Sequence, residues 1–347
     1  MAVGDSEDTS RAALERYDAL IDVRSPGEFA EDHVPGAVNL PVLDDAERAE
    51  VGTIYVQRSK FLARRIGAAH VARNIGRHLE TALADKPASF RPLIYCWRGG
   101  QRSNAMATIL GQVGWPVTVL TGGYRTYRRR VTAALYGDGP APRVVLLSGG
   151  TGTGKTDVLN RVAALGGQVL DLEALAEHRG SLFGGLPGRV QPSQKLFESR
   201  LLAALERLDP ARPVLVEAES SKVGRLLLPP VLWRAMTDAP RIELTAPAEA
   251  RARYLASAYA EVAADPQHVG ALLAKLPAHI SRAQRADWSA LAYAGEVKAL
   301  ARALIHEHYD PAYARSGAAP ATVIPLADLG TADRETAARA VLDAVTR

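Results

Sequence analysis

Short apolar runs alternate with helix-type periodicity through the first part of the chain. Each run is brief and bounded by polar or turn residues, and apolar residues at helical spacing fill most of the intervals. Strands that alternate with helices are typical of parallel sheets. We therefore predict strands at 19–23, 37–39, 93–95 and 117–120, and helices at 46–74, 75–84 and 102–113.

A second alternation of the same kind begins after residues 136–142. This stretch carries two glycines and two prolines, which is typical of a linker. We place one domain at 10–135 and another at 143–347, and expect an α/β fold with a parallel sheet in each. The second domain is predicted to contain strands at 144–147, 168–170, 214–216, 242–245 and 322–325, a helix that ends near 165, and helical pattern at 192–208, 248–264 and 283–308.

Composition narrows the class of protein. The chain has 347 residues, of which 47% are hydrophobic and 23% charged, as in ordinary globular proteins with room for two cores. Its single cysteine excludes an intramolecular disulfide framework and a cysteine-based zinc cluster. The net charge of +4 permits a nucleic-acid partner without establishing one. Residues 1–11 are acidic and polar, unlike a signal peptide, so we expect a cytoplasmic protein with no membrane partner.

The single cysteine, Cys96, opens a glycine-bearing run directly after the predicted strand 93–95. A strand, a tight turn and a helix start direct several N–H groups at one point, where a thiolate is stabilised. A buried structural cysteine is the alternative. The Cys-x5-Arg spacing leaves both sulfur transfer and phosphoester hydrolysis open. We predict Cys96 as the catalytic nucleophile, and the anion-binding residues as Trp97, Arg98, Gly99, Gly100, Gln101, Arg102 and Ser103.

A second glycine-rich run matches the pattern G-x-x-x-x-G-K-[ST] between a predicted strand and a predicted helix. Backbone N–H groups of such a loop surround a phosphate, Lys155 would contact its oxygens and Thr156 could bind Mg²⁺. ATP is the default ligand, yet a prenyl diphosphate presents the same oxygens. The predicted phosphate- or diphosphate-binding residues are Gly149, Gly150, Thr151, Gly152, Thr153, Gly154, Lys155, Thr156 and Glu217.

Acids follow the predicted strand 214–216, where P-loop proteins commonly place a metal-binding aspartate. Here both candidates, Glu217 and Glu219, are glutamates, which leaves magnesium binding and nucleotide hydrolysis open. His306 and His308 are two residues apart and do not share a helix face. No dedicated metal site is therefore expected.

Basic and polar residues in two other segments are candidates for contacting RNA or another polar substrate. The run 124–130 combines arginines, which neutralise phosphates, with tyrosines, which can stack on bases, although a solvated charge run is an equal alternative. A Gly- and Pro-containing loop precedes the helical pattern at 192–208, and Ser193 there reads as a helix cap. Basic residues on the later helical pattern, Arg251 among them, are ambiguous. The predicted substrate or tRNA contacts are Gln191, Gln194, Lys195, Tyr124, Arg125, Arg128 and Arg129.

The segments around the cysteine loop resemble a known family. Residues 22–41 (DVRSPGEFAEDHVPGAVNLP) and 120–124 (LTGGY) resemble the opening and closing segments of rhodanese domains. The resemblance implies that Cys96 handles sulfur or selenium, and Tyr95 stands where cysteine phosphatases have histidine. By the same resemblance, Asp22, Arg24 and Glu28 hold the fold together and His33 packs within its segment.

A rhodanese-type loop followed by a P-loop resembles the bacterial tRNA 2-selenouridine synthases. Four further runs of the chain share this resemblance. It implies a rhodanese-like parallel-sheet domain followed by a P-loop NTPase-like parallel-sheet domain with C-terminal helices. The four runs are 51–55, 191–195, 217–224 and 308–313.

The resemblance also implies an activity. Members of this family convert wobble 2-thiouridine in tRNA to 2-selenouridine through an S-geranylated intermediate. Geranyl diphosphate and selenophosphate serve as co-substrates, Mg²⁺ could accompany the diphosphate, and no redox cofactor is expected. We assign the diphosphate to the P-loop and selenophosphate to the Cys96 loop. Two alternatives stay open: an ATP-dependent tRNA sulfurtransferase with a persulfide on Cys96, and a small-molecule kinase with a rhodanese binding module.

Overall fold

The chain divides into two units, each built on its own parallel sheet. Unit 1 comprises Met1–Gly139 and Ser193–Glu206, and unit 2 comprises Pro140–Pro192 and Arg207–Arg347. A computed structural model describes residues 3–139, 141–181, 183–185, 188–218, 220–276, 280–314 and 319–346.

Unit 1 is built on a parallel five-stranded sheet in the order β1-β5-β4-β2-β3. Its core includes Ile21, Ile94, Met106 and Leu110, none of which is exposed to solvent. The strands are β1 (Gly4–Ser6), β2 (Ala19–Asp22), β3 (Val38–Asn39), β4 (Pro92–Tyr95) and β5 (Thr118–Leu120). The helices are α1 (Arg11–Leu14), α2 (Pro26–Glu31), α3 (Asp45–Gln57), α4 (Lys60–Glu80), α5 (Gln101–Val113), α6 (Tyr124–Tyr136) and, from the later segment, α9 (Gln194–Leu205).

Unit 2 contains a second parallel five-stranded sheet, in the order β12-β11-β6-β8-β7, with a short antiparallel pair, β9 and β10. The strands are β6 (Val144–Gly149), β7 (Val169–Leu170), β8 (Val214–Glu217), β9 (Lys222–Val223), β10 (Leu226–Leu227), β11 (Arg241–Thr245) and β12 (Thr322–Pro325). The helices are α7 (Lys155–Ala164), α8 (Leu172–Ala176), α10 (Pro230–Thr237), α11 (Ala248–Ala258), α12 (Ala260–Ala263), α13 (Pro266–Leu273), α14 (Arg282–Tyr293), α15 (Val297–Leu304), α16 (Asp310–Ala314) and α17 (Thr331–Thr346), with a π-helical segment at Ile305–Tyr309.

The α/β class with two parallel sheets is confirmed, but four helix predictions, 46–74, 75–84, 248–264 and 283–308, are wrong in their boundaries. The break predicted between residues 74 and 75 does not exist, because α4 runs through it. The chain instead breaks at Arg58 and Ser59, and the Ser59 hydroxyl accepts a hydrogen bond from the Leu62 N–H at 3.3 Å. The pattern at 248–264 divides into α11 and α12 at Tyr259.

The predicted helix at 283–308 is divided in the same way. Helix α14 ends at Tyr293, and Gly295 adopts a positive φ of 72°, a conformation that glycine reaches without strain and that ends a helix. The chain restarts as α15 and then widens into the π-helical segment. Periodicity alone misses this break, since apolar spacing resumes on the far side of the glycine.

Strand β1 has no counterpart in the sequence prediction. Its residues are Gly, Asp and Ser, which carry no apolar alternation, and it lies at the sheet edge against β5. Among the helices that the structure describes, none combines the length and the hydropathy needed to cross a bilayer.

Candidate active site

Cys96 lies directly after the carboxyl end of β4, at the start of the loop that leads into α5. Its side chain is buried, with 4% of the residue exposed. The Gly100 N–H donates a hydrogen bond to Cys96 Sγ at 3.3 Å, and the Ser103 hydroxyl lies 3.3 Å from the same sulfur. The sulfur therefore sits at the N-terminus of a 13-residue helix, whose dipole favours negative charge there.

The surroundings of Cys96 favour its thiolate. Burial opposes the charged form, but hydrogen bonds from the Ser103 side chain and from backbone N–H groups of Arg98, Ser103 and Gly100 outweigh it, so the pKa of Cys96 is lowered. A lowered pKa raises the fraction of reactive thiolate near neutral pH. The structure thus gives this cysteine the properties of a nucleophile, although its side chain is as buried as that of an inert structural cysteine.

Two glycines allow the backbone to wrap around the cysteine. Gly99 has φ 64°, and a Cβ there would lie 2.6 Å from the Leu120 carbonyl oxygen. Gly123 has φ 59°, and a Cβ there would collide with the Cys96 carbonyl oxygen. That carbonyl accepts the Tyr124 N–H at 2.8 Å, which joins the cysteine loop to the loop before α6. Any larger residue at these glycines would separate the two loops.

The side chains predicted to bind an anion are not all directed at the sulfur. Arg102 pairs with Glu28 at 2.7 Å. Trp97 stacks on Tyr124 with ring centroids 5.2 Å apart, while Arg98 and Gln101 are exposed. The contacts to the sulfur come from the backbone and from Ser103, so anion binding at this loop rests on N–H groups more than on guanidinium groups.

A buried ion pair packs against Tyr124, the residue whose N–H binds the Cys96 carbonyl oxygen. Arg24 and Asp22 form an ion pair at 2.6 Å with exposures of 1% and 0%, and the Arg24 guanidinium lies 4.1 Å from the centre of the Tyr124 ring. His33 stacks on Phe29 with ring centroids 3.8 Å apart, in agreement with its expected packing role. A buried pair of this kind fixes geometry more than it adds stability, because desolvation offsets much of the attraction.

Sequence reasoning missed Asp32. This buried carboxylate accepts a hydrogen bond from the Tyr124 hydroxyl at 2.6 Å, and burial raises its pKa. Tyr124 is itself only 3% exposed, so its ring is not available to stack on a base. The only signal for Asp32 was its place between Glu31 and His33 in the rhodanese-like segment.

The arginines of helix α6 differ in their surroundings: some form contacts within unit 1 and others are exposed to solvent. Arg128 forms an ion pair with the buried Glu198 of α9, and also donates to the Lys195 carbonyl oxygen at 3.2 Å. Arg125 and Arg129 are exposed. The proposal of an RNA-binding patch on α6 therefore rests on Arg125 and Arg129, with Arg128 holding α9.

The polar residues around the start of α9 make contacts within their own units. Gln191 donates to the carbonyl oxygens of Ala176 and Val223 at 3.2 and 3.1 Å, which leaves its amide engaged in structural contacts. Lys195 pairs with Glu31 at 2.6 Å. Gln194 donates to Glu198 at 2.9 Å, and the Ser193 hydroxyl caps α9 by accepting the Leu196 N–H at 3.0 Å, as a helix start requires.

The second glycine-rich loop joins β6 to α7 in unit 2. Positive φ values occur at Gly149, Gly152 and Gly154, so the loop follows a path that other residues reach only with strain. Thr153 closes it by donating to the Gly150 carbonyl oxygen at 2.9 Å. The chain geometry is that of a phosphate-binding loop followed by a helix N-terminus.

This loop opens onto a cavity of about 570 Å³. Lys155 Nζ lies 2.8 Å from the Gly149 carbonyl oxygen, and the Thr156 hydroxyl donates to Glu173 at 3.1 Å. Four tyrosines also line the cavity. The loop residues lining the cavity are Gly149, Thr151, Gly152, Gly154, Lys155 and Thr156, and the tyrosines are Tyr254, Tyr259, Tyr309 and Tyr313.

Glu217 ends β8 and is buried, with 1% of the residue exposed, beside Leu147 of β6 in the sheet register. Glu219 lies outside the described residues. Arg251 is also buried, donates to the Thr151 carbonyl oxygen at 2.9 Å and pairs with Asp310 at 2.6 Å. Arg251 therefore supports the phosphate-type loop and does not lie on an RNA-facing surface. The one feature of the sequence that pointed to this role is the run 308–313, which shares the family resemblance and includes Asp310.

An apolar branch of about 80 Å³ adjoins the cavity and shares five lining residues with it, Thr151, Ser181, Leu255, Tyr259 and Tyr309. The rest of the branch is lined mostly by aliphatic side chains, among them Val262, Val297, Leu300 and Leu304. A ligand that fills both spaces would need an anionic head and an apolar tail.

Two family models match the chain, one in each half. A family model described as a rhodanese-like domain matches residues 6–130, and one described as a tRNA 2-selenouridine synthase AAA domain matches residues 142–272. A rhodanese-related protein of known structure from Thermoplasma volcanium is 15% identical, covering 38% of this chain and 93% of that chain with a TM-score of 0.24.

Curated relatives named tRNA 2-selenouridine synthase match across both units. The protein from Nitrosomonas europaea is 37% identical over 236 residues, which is 67% of this chain but only 61% of that protein. The protein from Cupriavidus necator is 34% identical over 335 residues, covering 85% of this chain and 87% of that protein. The two loops and the matches around them lead to one conclusion: this chain belongs to the tRNA 2-selenouridine synthase family.

Proposed function

We propose that this protein replaces the sulfur of 2-thiouridine in tRNA with selenium. The observation that carries the proposal is the pairing, in one chain, of a thiolate-stabilising Cys96 loop with a phosphate-type loop that opens onto a cavity. The relatives' shared name supports the same activity. Replacement is chemically demanding because a thiolate leaves poorly, so we propose two steps, one for each loop.

The first step is alkylation of the base sulfur at the P-loop. Geranyl diphosphate binds with its diphosphate against the backbone N–H groups and Lys155. The base sulfur attacks C1 of the geranyl group, the C1–O bond breaks, diphosphate departs with the electron pair, and the proton on N3 of the base is released to solvent. The loop and Lys155 stabilise the charge that develops on the departing group.

The apolar branch favours an isoprenoid diphosphate over a nucleotide. A nucleotide would present a ribose and a base with polar edges to a space whose walls are mainly aliphatic, and those polar groups would lose their hydrogen bonds there. An isoprenoid chain has no such groups. The Thr156 hydroxyl and the Glu173 carboxylate, 3.1 Å apart, are hard oxygen donors of the kind that Mg²⁺ takes, and would hold this ion beside the diphosphate.

The second step takes place at the Cys96 loop. Selenophosphate binds as an anion against the N–H groups at the start of α5. The C2–S bond of the geranylated base breaks and geranylthiol leaves as the C2–Se bond forms. The Cys96 thiolate is the nucleophile available for the remaining Se–P bond: it attacks phosphorus, selenium stays on the base with the electron pair, and water then hydrolyses the S–P bond to release phosphate and restore the thiolate.

Omission of single reactants tests the proposal. The purified protein is incubated with a 2-thiouridine anticodon stem-loop RNA, geranyl diphosphate and selenophosphate, and nucleosides are identified by mass spectrometry. We expect geranylated nucleoside without selenophosphate, no product without geranyl diphosphate, and 2-selenouridine with both. Selenouridine formed without geranyl diphosphate, or a requirement for ATP in its place, would contradict the two-step scheme.

A further inference from the structure

A groove of about 720 Å³ lies along α5 in unit 1. It is bounded by the antiparallel pair α3 and α4 on one side and by the first turns of α5 on the other. The walls are mainly apolar, and they include three residues of the run 51–55 whose role was unexplained: Val51, Gly52 and Tyr55. We refer to this space as the α5 groove.

Small residues keep the α5 groove open. Helix α4 contributes four small residues to the lining: Ala63, Gly67, Ala68 and Ala72. The longer side chains that it adds to the lining are those of Arg64 and Val71. Gly67 is buried, and a Cβ there would lie 3.4 Å from the Val51 side chain, which shows how closely α3 and α4 pack. An exposed apolar concavity of this size is typical of a binding site.

The groove runs beside the first turn of α5, the helix that follows the Cys96 loop. Gln101 and Arg102, in the first turn of α5, are among its lining residues, as are Ala105 and Ile109 one and two turns further along the same helix. The next residue after Arg102 is Ser103, whose hydroxyl contacts Cys96 Sγ. One helix therefore presents its N-terminus to the reacting atoms and one of its faces to an apolar space.

The rim of the groove is basic. Arg48, Arg64 and Arg102 line it, and the Glu28 carboxylate lies between two of them, 3.2 Å from Arg48 and 2.7 Å from Arg102. Arg64 is exposed to solvent. An apolar floor with a cationic rim fits a ligand that combines a lipid-like chain with a polyanion, and a free lipid or an uncharged peptide would leave the rim unused.

We propose that the α5 groove holds the geranyl chain of the S-geranylated base while the Cys96 loop acts on that base. The occupant is thus an isoprenoid chain attached through sulfur to RNA. This inference rests on the proposed second step and adds a subsite to it. It gives unit 1 its own means of selecting the alkylated base over 2-thiouridine, because only the alkylated base can bury an apolar chain in the groove.

The test is a substitution that fills the groove without touching the Cys96 loop. Ala68 is exposed and lines the groove, so Ala68→Phe should occupy the space. With chemically geranylated stem-loop RNA and selenophosphate, we expect KM to rise about tenfold or more with kcat little changed. Ala69→Phe, at the next position on the same helix and outside the groove lining, is the matched control and should behave as wild type.

A binding measurement separates this inference from the proposed function. Labelled stem-loop RNAs with and without the geranyl group are titrated with full-length wild type and Ala68→Phe, followed by fluorescence anisotropy, which needs no turnover. The subsite is supported if Ala68→Phe loses the preference for geranylated RNA while wild type keeps it. An unchanged preference overturns it, even if selenium transfer proceeds. Ala72→Leu serves as a second groove-filling variant if Ala68→Phe does not fold, and failure of wild type to convert bound geranylated RNA would count against the proposed function only.

Discussion

The Cys96 loop and the Lys155 loop share the same strand–loop–helix architecture but serve different chemical purposes. Each joins a strand of a parallel sheet to a helix N-terminus, with positive φ at Gly99 in the first loop and at Gly152 and Gly154 in the second. In the first, the reactive sulfur is only 4% exposed and accepts hydrogen bonds from the loop itself. In the second, the lysine amine rests 2.8 Å from a loop carbonyl oxygen and faces a cavity of about 570 Å³.

The difference lies in what each loop stabilises. In the first loop, N–H groups stabilise a reactive atom of the protein itself beside the place proposed for a small anion, whereas in the second loop they open on a cavity and are available to a larger ligand. The first loop is therefore suited to nucleophilic chemistry on a small anion and the second to binding a larger phosphorylated substrate. The following changes test whether these roles can be separated.

The largest effect is expected from Cys96→Ser. The serine hydroxyl stays protonated near neutral pH and cannot replace the thiolate, so selenium transfer to geranylated RNA should fall more than ~10³-fold. The rate is measured by mass spectrometry of the nucleoside product. Geranylation of 2-thiouridine RNA by the same variant is the internal control. Selenium transfer within a few-fold of wild type would remove Cys96 from the chemistry.

A smaller effect is expected from Lys155→Ala on the binding of geranyl diphosphate. Loss of one cation from a phosphate site should weaken the affinity about 100-fold, as measured by isothermal titration calorimetry. Lys222→Ala, which removes an exposed lysine elsewhere in unit 2, is the matched control. Unchanged affinity in Lys155→Ala would mean that the cavity does not hold the diphosphate at this loop.

The close backbone approach at the cysteine loop predicts that an alanine substitution destabilises the protein more at Gly123 than at Gly114. Gly123→Ala introduces both an unfavourable φ and a collision with the Cys96 carbonyl, so it should lower the free energy of unfolding by about 3 kcal/mol. Gly114→Ala shares the positive φ but meets no atom within 4 Å and should cost about 1 kcal/mol. Hydrogen exchange of the backbone amides of unit 1 under increasing urea, followed by mass spectrometry, reports on unit 1 alone. Equal effects would contradict the packing of the two loops.

The smallest effect is a shift in a pH profile. Ser103 stabilises the thiolate, so Ser103→Ala should raise the pKa of Cys96 and move the midpoint of its alkylation by iodoacetamide to higher pH. The rate at high pH, where both proteins are thiolates, should converge. Ser89→Ala, an exposed serine in unit 1, is the control. A midpoint that stays in place would assign the lowered pKa to the backbone alone.

The sequence predicted the position and backbone form of the two loops better than the surroundings that tune them. Cys96 and Lys155 were found because glycine turns between a strand and a helix leave a local pattern. Asp32, Glu198 and Arg251 contribute through contacts between distant segments, and no local pattern marks such contacts. The packing of α9 in unit 1 is of the same kind, because its ion pair with Arg128 joins residues far apart in the chain.

The most direct test of the separate roles of the two loops is to measure both reactions in each of two variants. Cys96→Ser and Lys155→Ala are each given 2-thiouridine RNA with geranyl diphosphate, and geranylated RNA with selenophosphate, and the nucleosides are identified by mass spectrometry. We predict that Cys96→Ser performs only the first reaction and Lys155→Ala only the second. Loss of the same reaction in both variants would contradict the account.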